Sequence, residues 1–370
     1  MTAKTEYTLL AAICDFGWGS LGKFRLIIDE LDACSVLLYG SADINHIATA
    51  LLGSRHSFGH GSPERADVAI VINDPAAANQ IGALGVPVIY VDSLPYLWAN
   101  DEEVPHRESV AYYCAQKFPA DRLPVSSPLK NRRVHWIDPI VPASAHRSGG
   151  HGIVINLGGL HSHLVGDTVD AYLRLILYPL IAELKASGRE ISGVCGNLPA
   201  DVCRRVESLL PGCSAIGPQT PYDFEALLKN ADLLITSPGS TTILQAISLK
   251  LPSLLLPPQN LSQILNAQIY SWPGAPIMRW PASVMTMEAV AGLRPQGEDA
   301  ALGYIYQSIS DAARSTESAA DVLATIRSTL CTAPPQGVLD PSISGLGQKG
   351  AAQVAQLVKQ ALLAPIPRPK

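Results

Sequence analysis

Residues 237–242, Ser-Pro-Gly-Ser-Thr-Thr, combine a tight turn with hydroxyl side chains. They follow the apolar, strand-like residues 233–236 and precede a helical pattern over residues 241–249, which places the turn at the start of a helix. The first amides of a helix have no intrahelical partner and carry the positive end of its dipole, so they can bind a diphosphate. The hydroxyls of Ser240, Thr241 and Thr242 could equally serve as an ordinary helix cap.

A second set of polar residues follows the next predicted strand, residues 253–256. Gln259, Asn260, Gln263 and Asn266 occupy a loop and the first turns of a helix predicted over residues 262–271. Carboxyl ends of neighbouring parallel strands meet at one edge of a sheet, so both polar sets would face one crevice. This combination favours a binding site over a simple helix cap.

The loop at residues 15–23, Asp-Phe-Gly-Trp-Gly-Ser-Leu-Gly-Lys, is a second glycine-bearing turn. It lies between a predicted strand over residues 8–14 and a predicted helix over residues 21–31, and its glycines permit close approach of the backbone to a ligand. Asp15, at the end of the strand, could cap the helix or act as a general base. Lys23 could balance the charge of a phosphate or lie in solvent.

Aromatic residues follow the predicted strand over residues 88–91. Tyr96 and Trp98 lie in a long loop, residues 94–101, and Tyr112 and Tyr113 come later. Planar rings stack on sugars and flat aglycones, so these side chains could form the wall of an acceptor pocket. Ordinary packing in the core is the alternative for each of them.

Short apolar runs alternate with helical patterns along the chain, including one over residues 44–52, as is typical of βαβ units with buried parallel strands. The alternation stops at the small and polar residues 143–150 and restarts at residue 153. We therefore predict an α/β fold of two Rossmann-like, doubly wound domains, residues 1–145 and 146–370. The last helix, residues 350–363, could pack back on the N-terminal domain.

Composition argues against several classes of protein. A net charge of −5 with scattered Lys and Arg gives no footprint for nucleic acid. The seven cysteines form no CxxC pair, which predicts free thiols in the cytoplasm. No apolar run has the length of a transmembrane segment, and no signal peptide is recognised. His161 and His163 lack a nearby third ligand, so we expect neither a metal nor another cofactor.

Residues 231–246, Ala-Asp-Leu-Leu-Ile-Thr-Ser-Pro-Gly-Ser-Thr-Thr-Ile-Leu-Gln-Ala, resemble the carboxyl-domain signature of the GT-B glycosyltransferases. The likeness is to the branch that contains the N-acetylglucosaminyltransferase of lipid II synthesis and many small-molecule glycosyltransferases. It is strongest over residues 217–270 and extends more weakly to residues 156–160 and 15–23. The resemblance implies two domains facing across a cleft, with a nucleoside-diphosphate sugar donor on the C-terminal domain and a small-molecule acceptor on the N-terminal domain.

The resemblance also implies roles for individual residues. Amides at residues 239–241 would bind the phosphates, Gln259 or Gln263 the donor sugar, and residues 217–222 the nucleobase. The candidate donor-binding residues are Gly158, Gly159, Gly217, Gly239, Ser240, Thr241, Thr242, Gln245, Gln259 and Gln263. With the aromatic loop included, the candidate acceptor-binding residues are Gly17, Trp18, Gly19, Ser20, Lys23, Tyr96 and Trp98.

Two positions depart from the family pattern. Gln245 stands where the branch usually has a carboxylate that holds the ribose hydroxyls, and a neutral amide binds them less strongly. Lys23 stands where an imidazole base is common. An inverting transfer needs a base for the acceptor hydroxyl, so Asp15 is the first catalytic candidate. Secondary candidates are Asp92, His60 and Asp101.

We therefore expect an inverting, metal-independent glycosyltransferase of the hexosyltransferase type that acts in small-molecule biosynthesis. One alternative is a nucleotide-sugar hydrolase or 2-epimerase, which would need no acceptor. Another is a non-catalytic, glycosyltransferase-like protein that binds a nucleotide or activates an enzyme. A homodimer is left open, and the sequence names neither the sugar, the base nor the acceptor.

Overall fold

The computed structural model describes residues 7–14, 19–32, 34–40, 56–142, 147–150, 152–160, 168–270, 276–332 and 341–363. Within these ranges the chain forms two parallel sheets with helices packed against them. The α/β fold with two Rossmann-like units is therefore confirmed. The predicted helix over residues 44–52 lies outside the described residues.

The first sheet has seven strands in the order β3-β2-β1-β4-β5-β6-β7, and every neighbouring pair is parallel. The strands are β1 (Thr8–Ile13), β2 (Ser35–Tyr39), β3 (Ser57–His60), β4 (Val68–Ile72), β5 (Val88–Asp92), β6 (Tyr112–Gln116) and β7 (His135–Ile137). Strands β4 and β5 are buried along their whole length, as their continuous apolar sequences predict. Strands β3 and β6 were not predicted, because their short sequences mix polar and apolar residues.

Helices α1 (Gly19–Asp29) and α2 (Pro75–Ala83) follow strands of this sheet. The Asp74 carboxylate caps α2 by accepting from the amide of Ala77 at 2.9 Å. The last helix of the chain, which we label α11 (Gly350–Leu363), packs beside α1. Its Val354 and Val358 share a buried cluster with Phe24 of α1, so the end of the chain covers the first sheet.

The second sheet has five parallel strands in the order β10-β9-β8-β11-β12. They are β8 (Ile153–Leu157), β9 (Ile191–Gly196), β10 (Ala215–Gly217), β11 (Leu233–Thr236) and β12 (Ser253–Leu255). Helix α3 consists of Thr168–Tyr172, a π-helical segment Leu173–Leu177, and Tyr178–Ala186. The remaining helices are α4 (Ala200–Leu209), α5 (Pro221–Asn230), α6 (Ser240–Ser248), α7 (Leu261–Ile269), α8 (Met287–Leu293), α9 (Glu298–Ala312) and α10 (Thr316–Thr332).

The two sheets share a Rossmann-like plan, in which the strand order reverses beside a central strand. In the first sheet β1 lies between β2 and β4, and in the second β8 lies between β9 and β11. Loops that leave the carboxyl ends of the two strands at such a switch point diverge, and a crevice forms between them. This geometry predicts that ligand-binding residues follow β1, β4, β8 and β11.

Candidate functional site

A cavity of about 230 Å³ lies between the two sheets and is lined from both. The first half of the chain contributes Gly19, Ser20, Leu21, Gly22, Lys23, Asn73, Ser93 and Leu94. The second half contributes loops that follow β8, β9, β10, β11 and β12, together with the starts of α5, α6 and α7. The cavity therefore lies where the strand order of each sheet predicts a binding crevice.

Many of the residues predicted from the sequence meet in this cavity. Those that line it are Gly19, Ser20, Lys23, Gly158, Gly159, Gly239, Ser240, Thr241, Thr242, Gln245 and Gln263. Four others are described but are not part of the lining, namely Tyr96, Trp98, Gly217 and Gln259. Asp15, Gly17 and Trp18 lie outside the described residues.

Helix α6 begins at the cavity without a side-chain cap. Its N-cap residue, Gly239, donates its amide to the Ser237 carbonyl at 2.7 Å, and the helical pattern starts with the amide of Ile243 donating to the Gly239 carbonyl. Among the described residues no side chain accepts from the helix start, and its first turn contains no acidic residue. The positive end of the α6 dipole consequently faces the cavity with amides available for an anion.

Lys23 of α1 meets the start of α6 from the opposite side of the cavity. Its Nζ donates to the Thr241 hydroxyl, and only 2% of the residue is exposed. Burial lowers the pKa of this ammonium to about 8, and no carboxylate among the described residues pairs with it. A buried cation beside a positive helix end is unfavourable by itself, so the arrangement favours the binding of an anion between them.

Gly159 permits the loop after β8 to approach helix α7. Its φ of +81° lies in the left-handed region, and a Cβ there would come within 2.8 Å of the Gln263 Nε2 atom. The neighbouring Gly158 carbonyl accepts from that same Nε2 at 2.9 Å. These contacts hold the loop against the start of α7, at the wall of the cavity.

Gln259 has a different place from the one we expected for a residue that contacts a donor sugar. Its side chain is buried, and its Nε2 donates to the Ser237 hydroxyl at 3.1 Å and to the Gly158 carbonyl at 3.2 Å. A buried amide needs hydrogen-bond partners, and the Gln259 side chain finds them in the loops after β8 and β11. It therefore links these two loops behind the cavity wall. Gln263 lines the cavity. Its Nε2 donates to the Gly158 carbonyl, and its Oε1 accepts from the backbone amide of Gln259.

Gly217 also lies away from the cavity lining. It ends β10 with a φ of +90°, and a Cβ at this position would lie 2.8 Å from the Cys203 sulfur. The cavity wall is supplied instead by Gln219, Pro221 and Phe224, at and near the start of α5. The glycine serves the turn between strand and helix, and the residues after it reach the site.

The aromatic loop packs inside the protein, and neither Tyr96 nor Trp98 lines the cavity. Tyr96 is fully buried, with its ring centroid 5.0 Å from that of Phe118, and its hydroxyl donates to the Asn266 side chain. Trp98 donates from Nε1 to the Asp92 carboxylate at 2.9 Å. A buried carboxylate is stable only with several hydrogen-bond donors, and the Trp98 indole points into the protein to supply one of them.

Asp92 is an anchor for this loop. Besides Trp98, its carboxylate accepts from the Tyr113 hydroxyl and the Leu94 amide, each at 2.8 Å. Burial raises the pKa of Asp92 to about 6. Asp92 is absent from the cavity lining, as is Asp101, which begins an exposed 3₁₀ turn. His60 is the last residue of β3.

The carboxyl edge of the first sheet carries two polar residues that we did not predict. Asn73 follows β4 with a φ of 53°, and its side chain donates to the Ser93 hydroxyl at 2.8 Å and accepts from the Ser93 amide at 2.9 Å. Asn73 is the first polar residue after the apolar strand β4. Ser93 directly follows β5, whose last residue is Asp92. Strand ends in adjacent βαβ units were the signal that could have identified them.

The structure describes no metal centre or membrane helix. Within the described ranges, no three His, Cys, Asp or Glu side chains come close enough to hold an ion. His161 and His163 fall outside those ranges. None of the described helices is both long and apolar enough to cross a bilayer. All seven cysteines are free thiols, as predicted.

Two Rossmann-like units that face each other across a cleft define the GT-B fold, and one solved structure with a TM-score above 0.5 shows the same architecture. UGT2 of Phytolacca americana, complexed with UDP-2fluoro-glucose and pterostilbene, has a TM-score of 0.52 and 12% identity, and the match covers 97% of this chain and all of UGT2. MurG of Acinetobacter baumannii has a TM-score of 0.46 and 13% identity, with 87% of this chain and 99% of MurG covered. The spinosyn rhamnosyltransferase SpnG, complexed with spinosyn aglycone, has a TM-score of 0.47 and 13% identity, with coverages of 89% and 97%.

Sequence comparison assigns the chain to a family. The model of the CGA synthase-related proteins matches residues 39–298, which include most of both sheets, and the chain belongs to this family. No curated protein sequence matches it.

The two glycines of the β8 loop form a matched pair for mutation. We expect Gly159→Ala to lower the free energy of unfolding by about 1–3 kcal/mol, because alanine is strained at a positive φ and its methyl group would meet Gln263. Gly158→Ala has no atom within 4 Å of the added methyl group and should change stability by less than about 0.5 kcal/mol. Urea unfolding of the full chain measures both, and equal losses would show that the conformation of Gly159 is not required.

Proposed function

We propose that this protein is a glycosyltransferase that binds a nucleoside-diphosphate sugar in the cavity and transfers the sugar to a small-molecule acceptor. The observation that carries the proposal is the contact between buried Lys23 and Thr241 at the uncapped start of α6. This contact concentrates positive charge where the two halves of the chain meet. A nucleoside diphosphate is the kind of leaving group that such a site stabilises.

The charge of the lining supports a mechanism without a metal ion. Transfer breaks the bond between the anomeric carbon and the diphosphate oxygen, and negative charge develops on that oxygen. The Lys23 ammonium, the α6 amides and the hydroxyls of Ser240 and Thr241 can stabilise it together. A divalent ion would need carboxylate ligands, and the described part of the lining contains none.

The remaining cavity-lining residues from the second half of the chain carry groups that can bind a nucleoside. Gln245 lies in the second turn of α6, where its amide could hydrogen-bond ribose hydroxyls. Gln219 and Phe224 flank the start of α5, and their amide and ring offer hydrogen bonding and stacking to a base. We therefore propose that the nucleoside lies along α5 and α6, with the sugar pointing toward Ser93 and Asn73.

We retain Asp15 as the proposed general base for an inverting transfer. It would take the proton from the acceptor hydroxyl as that oxygen attacks the anomeric carbon. The described lining residues include no carboxylate or imidazole that could take this role in its place. Asp15 follows β1 in the sequence and precedes Gly19, which begins α1 at the cavity.

A nucleotide screen tests the proposed donor site. We expect at least one of UDP, dTDP, ADP, GDP and CDP to raise the melting temperature of the wild-type chain, because a ligand that binds only the folded state stabilises it. Lys23→Met should weaken the binding by about 10–100-fold through loss of a charge-assisted hydrogen bond, while the free protein keeps its stability because a buried charge is removed. Lys359→Met, on the exposed face of α11, is the control and should bind as the wild type does. Failure of all five nucleotides to bind the wild type would overturn the proposal.

Affinity for the nucleotide should depend on pH through Lys23. In the free protein its pKa is about 8, and an adjacent diphosphate favours the protonated form and so raises that pKa. Affinity should therefore be constant below pH 8 and fall as the pH rises above it, by up to about tenfold per pH unit. Isothermal titration between pH 7.5 and 9.5 measures this, and Lys23→Met should show a flat profile. A wild-type profile as flat as that of the variant would exclude Lys23 from the anion site.

Substitution of Asp15 separates binding from catalysis. We expect Asp15→Asn to bind the nucleotide as the wild type does and to lose about 100-fold or more in sugar transfer, since an amide cannot accept the proton. The measurement is release of the nucleoside diphosphate from the corresponding sugar nucleotide, with and without a pool of small hydroxylated acceptors. Release by the wild type without acceptors would indicate a hydrolase or a hydrolysing 2-epimerase, and unchanged transfer by the variant would exclude Asp15 as the base.

A further inference from the structure

Asn266 of α7 connects the two halves of the chain at the wall of the cavity. It is 2% exposed, and both ends of its carboxamide are engaged. Its Nδ2 donates to the Pro238 carbonyl at 2.8 Å, in the turn before α6. Its Oδ1 accepts from the Tyr96 hydroxyl, which belongs to the loop after β5. One side chain thus bonds to both sides of the crevice.

The chemistry of the two partners determines the orientation of this carboxamide. The Pro238 carbonyl can only accept a hydrogen bond, so the nitrogen of Asn266 must face it. Burial raises the pKa of Tyr96 well above its usual value, so the phenol keeps its proton and serves as a donor to the Asn266 oxygen. Rotation of the amide by 180° would turn the Asn266 oxygen toward the Pro238 carbonyl, so that two acceptors face each other, and is therefore unfavourable.

Tyr96 is itself held from several directions. Its ring packs edge-on against Phe118, and its backbone carbonyl accepts from the Arg294 guanidinium. Ser93 and Leu94 line the cavity from the first half of the chain and lie three and two residues before Tyr96 in the same loop. The Leu97 amide donates to the Leu94 carbonyl at 2.8 Å, so this loop is a compact turn. A rigid Tyr96 can therefore transmit the position of this loop to Asn266.

The partner on the other side, Pro238, starts the turn that presents the α6 amides. Its carbonyl and the amide of Gly239 belong to one planar peptide unit, so a hydrogen bond to the carbonyl also sets the direction of that amide. The Gly239 amide donates to the Ser237 carbonyl, and α6 begins at the next residue. The Asn266 bond thus restrains the turn immediately before the anion-binding amides.

We propose that Asn266 is a positioning residue that couples the loop bearing Ser93 and Leu94 to the diphosphate turn at residues 237–242. The inference rests on the proposed function, since the turn is taken to bind the diphosphate of the donor. Through Tyr96 and Pro238, Asn266 sets the place of the phosphates relative to the acceptor half of the cavity. Asn266 acts through these neighbours and takes no part in the bond-breaking step.

A double-mutant cycle in the full chain tests the coupling. Affinities for UDP, dTDP, ADP, GDP and CDP are measured by isothermal titration for the wild type, Tyr96→Phe, Asn266→Ala and the double variant. We expect Tyr96→Phe to weaken binding about three- to tenfold and Asn266→Ala about tenfold or more, as expected when a buried hydrogen bond is lost. The double variant should bind like Asn266→Ala alone, because Tyr96 acts only through Asn266.

Tyr178→Phe is the control, since it also removes a tyrosine hydroxyl from a side-chain hydrogen bond, but one with the exposed Arg205, and neither residue lines the cavity. It should leave the affinities unchanged even if it lowers the melting temperature. Asn266→Asp keeps an oxygen for Tyr96 and turns a second oxygen toward the Pro238 carbonyl, so it should bind more weakly than Asn266→Ala.

The outcomes separate this inference from the proposed function. Wild-type affinity in Tyr96→Phe, or additive losses in the double variant, would overturn the coupling while leaving the donor site in place. Equal losses in Tyr96→Phe and Tyr178→Phe would show a general effect of lost stability and would also overturn it. Absence of nucleotide binding by the wild type would remove the proposed function and this inference together. Because Tyr96→Phe changes a single oxygen atom, the test does not depend on Asn266→Ala being able to fold.

Discussion

The Lys23 ammonium lies against the Thr241 hydroxyl at the start of α6, in a position where the residue is almost fully buried. A charge in such a place is unfavourable unless an opposite charge or several hydrogen bonds compensate it, and the described residues offer one neutral hydroxyl. The nearby helix start adds further positive potential. An anion in the cavity would satisfy the ammonium and the free amides at once, so the chemistry of the site follows from this one contact.

Parallel-sheet topology explains how two distant segments come to form this contact. Helix α1 follows β1 and helix α6 follows β11, and β1 and β11 lie at the points where the two sheets reverse their strand order. Both helices therefore begin at a carboxyl edge of a sheet, and the two edges face the same cavity. Gly19 allows the start of α1 to come close to α6, since a Cβ at this position would lie 3.1 Å from the Thr241 hydroxyl.

Many polar side chains around the cavity form hydrogen bonds within the protein. The Gln259 amide bonds to two neighbouring loops, Asp92 holds Trp98, and Asn266 bonds to Tyr96 and Pro238. Buried polar groups require such partners, and their networks make the walls of a site rigid. Rigid walls keep the few groups that face the cavity, such as the α6 amides, in fixed directions.

The sequence by itself determined most of the strands and helices and the turn at residues 237–242, because these depend on residues close together in the chain. Apolar runs such as Ile153–Leu157 and Leu233–Thr236 have the length and composition of buried strands, and Pro238 and Gly239 produce a turn wherever they occur in such a pattern. Only the tertiary structure decided which polar and aromatic side chains reach the cavity. Tyr96 and Asn266 are separated by 170 positions, yet their hydrogen bond buries the ring that we expected in an acceptor wall. The direction of a side chain depends on partners that are distant in the sequence and come close only in the folded chain. Local patterns of residues do not identify those partners.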